Sequence, residues 1–234
     1  MIEILKETED WIAINKAAGL LVHRTKIAAE EKEYFALQLL RDQIGQAVYP
    51  VHRLDRPTSG VLLFSKKKEL LPLFKAEFAE RRVRKNYLAL VRGIPSLEQG
   101  SFDRALTNER SGKLQEAKTD YQVVNSVEIP FDTTGRYPTS RYSLLSLQPF
   151  TGRTHQIRRH LAQARHYILG DKKHGDNKQN KFFEQQFNLQ NLLLHASELS
   201  FQDPVSQQSV SIHSEIPVHF RTILKELGFP VEEV

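Results

Sequence analysis

Strand-like runs dominate this chain, yet they never settle into the regular strand-helix-strand alternation that a parallel α/β sheet requires. Short alternating segments at Ile2 to Leu5 and Trp11 to Ile14, about a polar turn from Glu7 to Asp10, read as a hairpin. Gly19 follows as a turn. Val61 to Phe64 is an apolar run suited to a strand buried on both faces. Lys85 to Arg92 alternates so that Tyr87, Ala89 and Val91 share one face. Further strand patterns lie at Thr119 to Asn125, Tyr142 to Gln148, 192–195 and 210–213. Helical spacing is read at three places. Over about 67–82, Leu70, Leu71, Phe74 and Phe78 make one face and Glu77, Glu80 and Arg81 the other, with Pro72 in the first turn. From Thr154, a stripe of Ile157, Leu161 and Ala164 leaves Arg158, Arg159 and Arg165 outside it. Pro217 opens a last helix carrying Phe220, Ile223, Leu224 and Leu227. Residues 100–118 are polar and aperiodic and are expected to be a mobile loop. The pattern predicts an α+β fold, a mixed but largely antiparallel sheet flanked by helices and loops. With no repeat or low-complexity linker, residues 1–234 are expected to form a single domain.

Composition excludes several kinds of chemistry. The chain has no cysteine, so disulfides, thiolate zinc sites, iron-sulfur clusters and thiol nucleophiles are impossible. No apolar run is long enough for a membrane span, and MIEILKETED alternates charges with apolar residues, unlike a signal peptide. A cytoplasmic protein is therefore expected.

The net charge of +5 is modest but unevenly placed. Residues 65–92 hold nine Lys/Arg against three Asp/Glu, and 151–181 hold eight against two with four histidines besides. From 182 onward the balance reverses to two against seven. A polyanion would be drawn to the first two segments, where phosphate neutralisation releases counterions. Two solvated helix faces would give the same counts, so composition alone leaves nucleic acid open.

The most informative run is His52-Arg53-Leu54-Asp55-Arg56-Pro57-Thr58-Ser59-Gly60. A turn containing Pro57 and Gly60 precedes a buried strand, which sets the Asp55 carboxylate on a rigid loop between two arginines. Asp55 could simply cap that turn, as aspartate commonly does. It could also carry chemistry.

HRLDRPTSG resembles the catalytic loop of the RluA family of pseudouridine synthases. The similarity extends in order through NKAAGLLVH at 15–23, RKNYLALVRG at 84–93, TGRTHQIRRH at 151–160 and LLLHASELSF at 192–201. The segments GRYPTSRY, ILGDKKHGDNKQN and LVHR look closest to a branch that modifies tRNA at uridine-65, in the acceptor-stem side. One departure is Ala17, where many relatives have proline. No N-terminal S4-type RNA-binding extension, of the kind found in some relatives, is expected.

The resemblance implies that Asp55 acts at the uridine sugar while the base is detached, turned and rejoined through carbon, with no cofactor and no metal. It assigns Arg158 as the arginine that pairs with the catalytic aspartate, and Tyr87 as the tyrosine that stacks on the target base and helps remove its C5 proton. Arg53 matches an arginine that enters the RNA where the uridine leaves, offsetting part of the roughly few kcal/mol that flipping costs. His52, Arg56, Lys85, Arg153 and His155 are expected RNA contacts, with Lys66 to Lys68, Arg81, Arg82, Arg84 and Lys172 to His174 as further backbone contacts. Taken alone, each has a plainer reading: Tyr87 as core, Arg158 as a solvated helix residue, the lysines as solvent-facing.

The clustered histidines suggest a metal, but residues five apart on a helix point about 140° away from each other, so His155 and His160 cannot form a zinc-binding pair. A non-catalytic RNA-binding protein has no need of Asp55, Tyr87 and Arg158 together. A retaining glycosidase would need a second carboxylate about 5 Å from the first, and none stands beside Asp55 in these segments. Within the family, ribosomal RNA remains the alternative substrate to tRNA, and no obligate protein partner is implied.

Overall fold

A computed structural model describes residues 1–23, 35–133, 135 and 137–230. Arg24 of LVHR and Arg136 of GRYPTSRY lie outside the described residues. In chain order the elements begin β1 (Glu3–Glu7), β2 (Trp11–Lys16), α1 (Ala36–Ile44), β3 (Tyr49–Pro50), β4 (Ser59–Ser65) and α2 (Leu71–Ala79). They continue with β5 (Arg84–Arg92), β6 (Gln99–Phe102), β7 (Leu106–Thr107), β8 (Leu114–Gln115), β9 (Thr119–Ile129) and β10 (Ser140–Pro149). The remainder are α3 (Gln156–Gln163), α4 (Asn177–Phe187), β11 (Leu194–Gln202), β12 (Ser209–His213) and α5 (Val218–Glu226). The fold is α+β, and the chain divides into two compact units: Met1–Lys85 with Ala196–Glu215, and Asn86–His195 with Ile216–Val234.

In the first unit the strands run β1-β2-β4-β11-β12, with β3 on β4. The β1–β2 hairpin turns at Thr8, whose hydroxyl accepts from the Asp10 and Trp11 amides. Every residue of β4 is buried, as its unbroken apolar run requires. Helix α2 has Pro72 in its first turn and buries Phe74 against Trp11, Val61, Leu63 and Phe201. It also buries Glu77, which the periodicity places outside. Arg82 explains this: it curls back from beyond the helix and gives the carboxylate two hydrogen bonds, at 2.8 and 2.5 Å.

Gly60 lies at the start of β4, where the strand leaves the Asp55 loop. Its φ is +111°, and a Cβ there would lie 2.2 Å from the Ala196 carbonyl oxygen on β11. Both the backbone angle and the space exclude a side chain. Gly60→Ala is expected to cost about 2–3 kcal/mol in unfolding free energy, read from the denaturant midpoint. A midpoint equal to wild type would mean that the two strands separate readily here.

In the second unit the strands run β5-β10-β9-β6. All three pairings are antiparallel, with a register shift between Leu144 and Leu145. Segment 100–118 is structured, contrary to the expected mobile loop. After β6 it forms the β7–β8 hairpin, whose turn is closed by Asn108 Oδ1 accepting from the Arg110 and Ser111 amides. These strands are too short for a periodic signal, and a side-chain-capped turn stands in for it. Ile157 and Leu161 of α3 pack with Ala89, Val91, Leu145 and Leu147, while α4 and α5 enclose a second cluster around Tyr142, Phe183 and Phe220.

Candidate active site

In the first unit the loop around Asp55 is held from its backbone. Leu54 is buried, the Thr58 amide donates to the Asp55 carbonyl at 3.1 Å, and Thr58, Ser59 and Gly60 are buried as the chain enters β4. The turn is thus closed through the Asp55 main chain. Asp55 is half-buried between Arg53 and Arg56, which are both exposed. The 16–20 turn is stitched to this loop. Gly19 N donates to Arg56 O at 2.9 Å, and Arg56 Nε returns a bond to Gly19 O at 3.1 Å.

Lys16 has no exposed surface, and its ammonium donates to the carbonyls of Ala17, Leu20 and Arg56 at 2.9, 2.8 and 3.1 Å. No role was assigned to it from sequence, although a lysine closing the apolar strand WIAIN before a glycine turn is a usable signal. Burial pushes its pKa down from 10.5 to about 7, against the attraction of the Asp55 charge. Between these values the unfolded chain binds the proton that the folded chain has lost, so stability should rise with pH across that window and be flat below it. The denaturant midpoint is expected to climb from pH 7 to pH 10 relative to Lys16→Met. Parallel pH profiles for the two proteins would show that the ammonium stays charged throughout.

His52, an expected RNA contact, is engaged by the protein. Its Nε2 accepts from the Leu63 amide at 3.1 Å, and its ring stacks on Phe78 with centroids 4.8 Å apart. Burial, helped by the Lys85 charge, pushes its pKa down to about 3, so the imidazole is neutral and ties the loop to β4. Lys85 is half-buried, which lowers its own pKa. Several basic residues expected to face phosphate have acidic neighbours instead: Lys66 pairs with Glu7, Lys67 with Glu9 and Asp10, and Arg82 with Glu77 and Glu80.

In the second unit Tyr87 stands on β5 opposite Leu147, half-buried at the edge of the cluster beneath α3. Arg158 is not outside the helix stripe. It is 5 % exposed, and its Nε and Nη2 form a fork on the two oxygens of Asp171 at 2.7 and 2.8 Å. Burial alone would raise the Asp171 carboxyl, but the Arg158 guanidinium and the amides of His174 and Lys173 outweigh it and hold it below the usual range. Asp171 is the positioning residue that sequence reasoning missed. Its signal was the aspartate in ILGD, too far along the chain for helical spacing to connect it with Arg158.

The TGRTHQ turn that leads into α3 is fixed by Gln156, which is buried. Its side-chain oxygen accepts from Thr151 Oγ1 and the Arg153 amide, and its nitrogen donates to Lys118 O and Thr119 Oγ1. Arg153 is half-buried and donates to Glu116 O at 3.0 Å. His155 precedes the helix with a left-handed φ of 54°, and its Nδ1 lies 2.9 Å from His174 Nε2. His160 is buried elsewhere, between Thr119 Oγ1 and Arg104 O.

These elements have counterparts in known proteins. Residues 10–163 match the family model described as RNA pseudouridylate synthase. The chain belongs to that family. It is 44% identical over 98% of its length to tRNA pseudouridine synthase C of Vibrio vulnificus, covering 97% of that protein. The same-named protein of Yersinia pestis is 41% identical, over 98% of this chain and 92% of its own. Two solved structures share the fold. Human RNA Pseudouridylate Synthase Domain Containing 1 has a TM-score of 0.74 at 23% identity, covering 93% of this chain and 84% of its own. Human RNA Pseudouridylate Synthase Domain Containing 4 has a TM-score of 0.73 at 24% identity, over 96% and 92%. The enzyme is an isomerase acting on uridine in RNA. Among the described residues no helix is long and apolar enough to cross a membrane.

Proposed function

We propose that this pseudouridine synthase modifies tRNA, at a single uridine in the acceptor-stem side corresponding to position 65, with the whole chain acting as one catalytic domain. The observation that carries the tRNA reading is the similarity, at 44% identity across nearly the full length of both chains, to a protein named tRNA pseudouridine synthase C. The position-65 reading rests on the segments GRYPTSRY and ILGDKKHGDNKQN. Asp55 supplies the carboxylate at the uridine sugar, Tyr87 stacks on the base, and Arg158 supplies a guanidinium whose orientation Asp171 sets. Arg53, exposed on the loop two residues before Asp55, is the wedge that occupies the vacated stack. Arg56, Lys85, Arg153 and His155 contribute further RNA contacts.

A base inside a helical stem must be flipped before a carboxylate can reach its sugar. Arg53→Ala should therefore slow isomerisation by about tenfold or more while weakening tRNA binding only a few fold, compared in single-turnover and filter-binding assays. Equal losses in both would make Arg53 a plain phosphate clamp. Carbodiimide-based mapping of pseudouridine in total RNA from cells with and without the gene tests the substrate. Loss of one tRNA site is expected, and loss of a ribosomal site with all tRNA sites intact would overturn the tRNA reading.

A further inference from the structure

We propose that Glu109, His155 and His174 form a binding site for a divalent transition cation of the zinc class, one that includes none of the residues assigned to the chemical step, Asp55, Tyr87 and Arg158, but shares His155 with the proposed RNA contacts. Glu109 comes from the β7–β8 hairpin, His155 from the turn ahead of α3, and His174 from the loop that follows Asp171. One ligand atom from each lies within 4.8 Å of the others. The two imidazole nitrogens, His155 Nδ1 and His174 Nε2, are 2.9 Å apart. A tetrahedral zinc ion with bonds of about 2.0–2.1 Å holds two nitrogens roughly 3.3 Å apart, so a shift of a few tenths of an ångström admits the ion.

The backbone around both imidazoles is held by buried hydrogen bonds, which distinguishes the pair from a chance surface cluster. The backbone of His155 is set by the buried Gln156, which fixes the turn on either side. The His174 amide donates at 2.9 Å to Asp171 Oδ1, and that carboxylate is locked by Arg158. Both rings are half-buried and Glu109 is exposed, so an ion can enter from solvent and keep water as a further ligand. Two imidazoles with one carboxylate suit zinc, nickel, cobalt or copper. Magnesium and calcium prefer an all-oxygen set. Lys173 competes for the site: its ammonium lies 3.0 and 3.2 Å from the two Glu109 oxygens and must leave when a cation arrives. Lys173 is half-exposed and can turn into solvent, so competition limits the affinity without blocking the site.

The test is calorimetric titration of the chelator-treated full-length protein with zinc chloride, nickel chloride and magnesium chloride. Expected is one zinc or nickel ion per chain with micromolar affinity and no magnesium binding in the same range. His174→Ala and Glu109→Gln should each weaken zinc binding by at least about tenfold. Lys173→Ala should tighten it, an outcome that a site elsewhere on the surface would not give. His213→Ala, a histidine of the other unit, should leave it unchanged. Circular dichroism checks that each variant is folded. Absence of zinc binding, or binding that none of the Glu109, Lys173 and His174 substitutions changes, would overturn the assignment.

Discussion

Purified Asp55→Asn is expected to lose isomerase activity by about a thousandfold or more while its tRNA affinity stays within a few fold of wild type. Asparagine keeps the size of the side chain and, because the turn closes through the Asp55 main-chain carbonyl and the Thr58 amide, it keeps the loop. The negative charge and one carboxylate oxygen are what the substitution removes. Affinity should survive because it depends on phosphate contacts spread over many basic residues. Substantial turnover by the pure variant would remove Asp55 from the chemistry.

Asp171→Ala should destabilise the second unit by about 3 kcal/mol, because it removes the carboxylate that forks on a buried guanidinium. It also orphans the amides of Lys173 and His174. Denaturation measures the stability loss, and single-turnover kinetics measures the accompanying fall in rate. A paired replacement, Arg158→Met with Asp171→Leu, separates the two effects, since an apolar pair of similar volume restores much of the stability. Activity should stay lost in that double variant. Arg158→Lys keeps the charge and lacks the fork, so it should lower kcat with the fold intact. Recovery of activity with the apolar pair would reduce Arg158 to scaffolding.

The strands and helices that bury an uninterrupted apolar face were legible: β2, β4, β5, β10 and α5 all lie where alternation or helical spacing places them. Helix α1 was missed although Leu37, Leu40 and Ile44 are helically spaced and Gly45 ends it in a left-handed conformation, which is a readable stop. Helix α4 was missed for a better reason. Its sequence NKQNKFFEQQF is mostly polar, and it is held by an Asp176 cap and by Phe183 entering a core assembled from distant strands. In the candidate site the catalytic-type loop was legible because it is continuous in sequence. Partnerships that cross a loop were not. Arg158 with Asp171 and His155 with His174 depend on how the 171–175 segment folds back, which no period on α3 reports. His155 and His160 do not share a helix, because α3 begins at Gln156. The structure places His155 before the helix and gives it a different histidine as neighbour.

The single tryptophan, Trp11, is buried in the first unit, and its indole nitrogen donates at 2.8 Å to the Asp203 carboxylate. Emission excited at the red edge of the spectrum, where tyrosine does not absorb, therefore reports on that unit alone. Tyr87, Tyr121, Tyr137, Tyr142 and Tyr167 all lie in the other. An unfolding transition followed by tryptophan emission and one followed by far-ultraviolet ellipticity need not coincide in such a chain. Any gap between the two curves measures directly how far the halves melt independently, with no label or added chromophore.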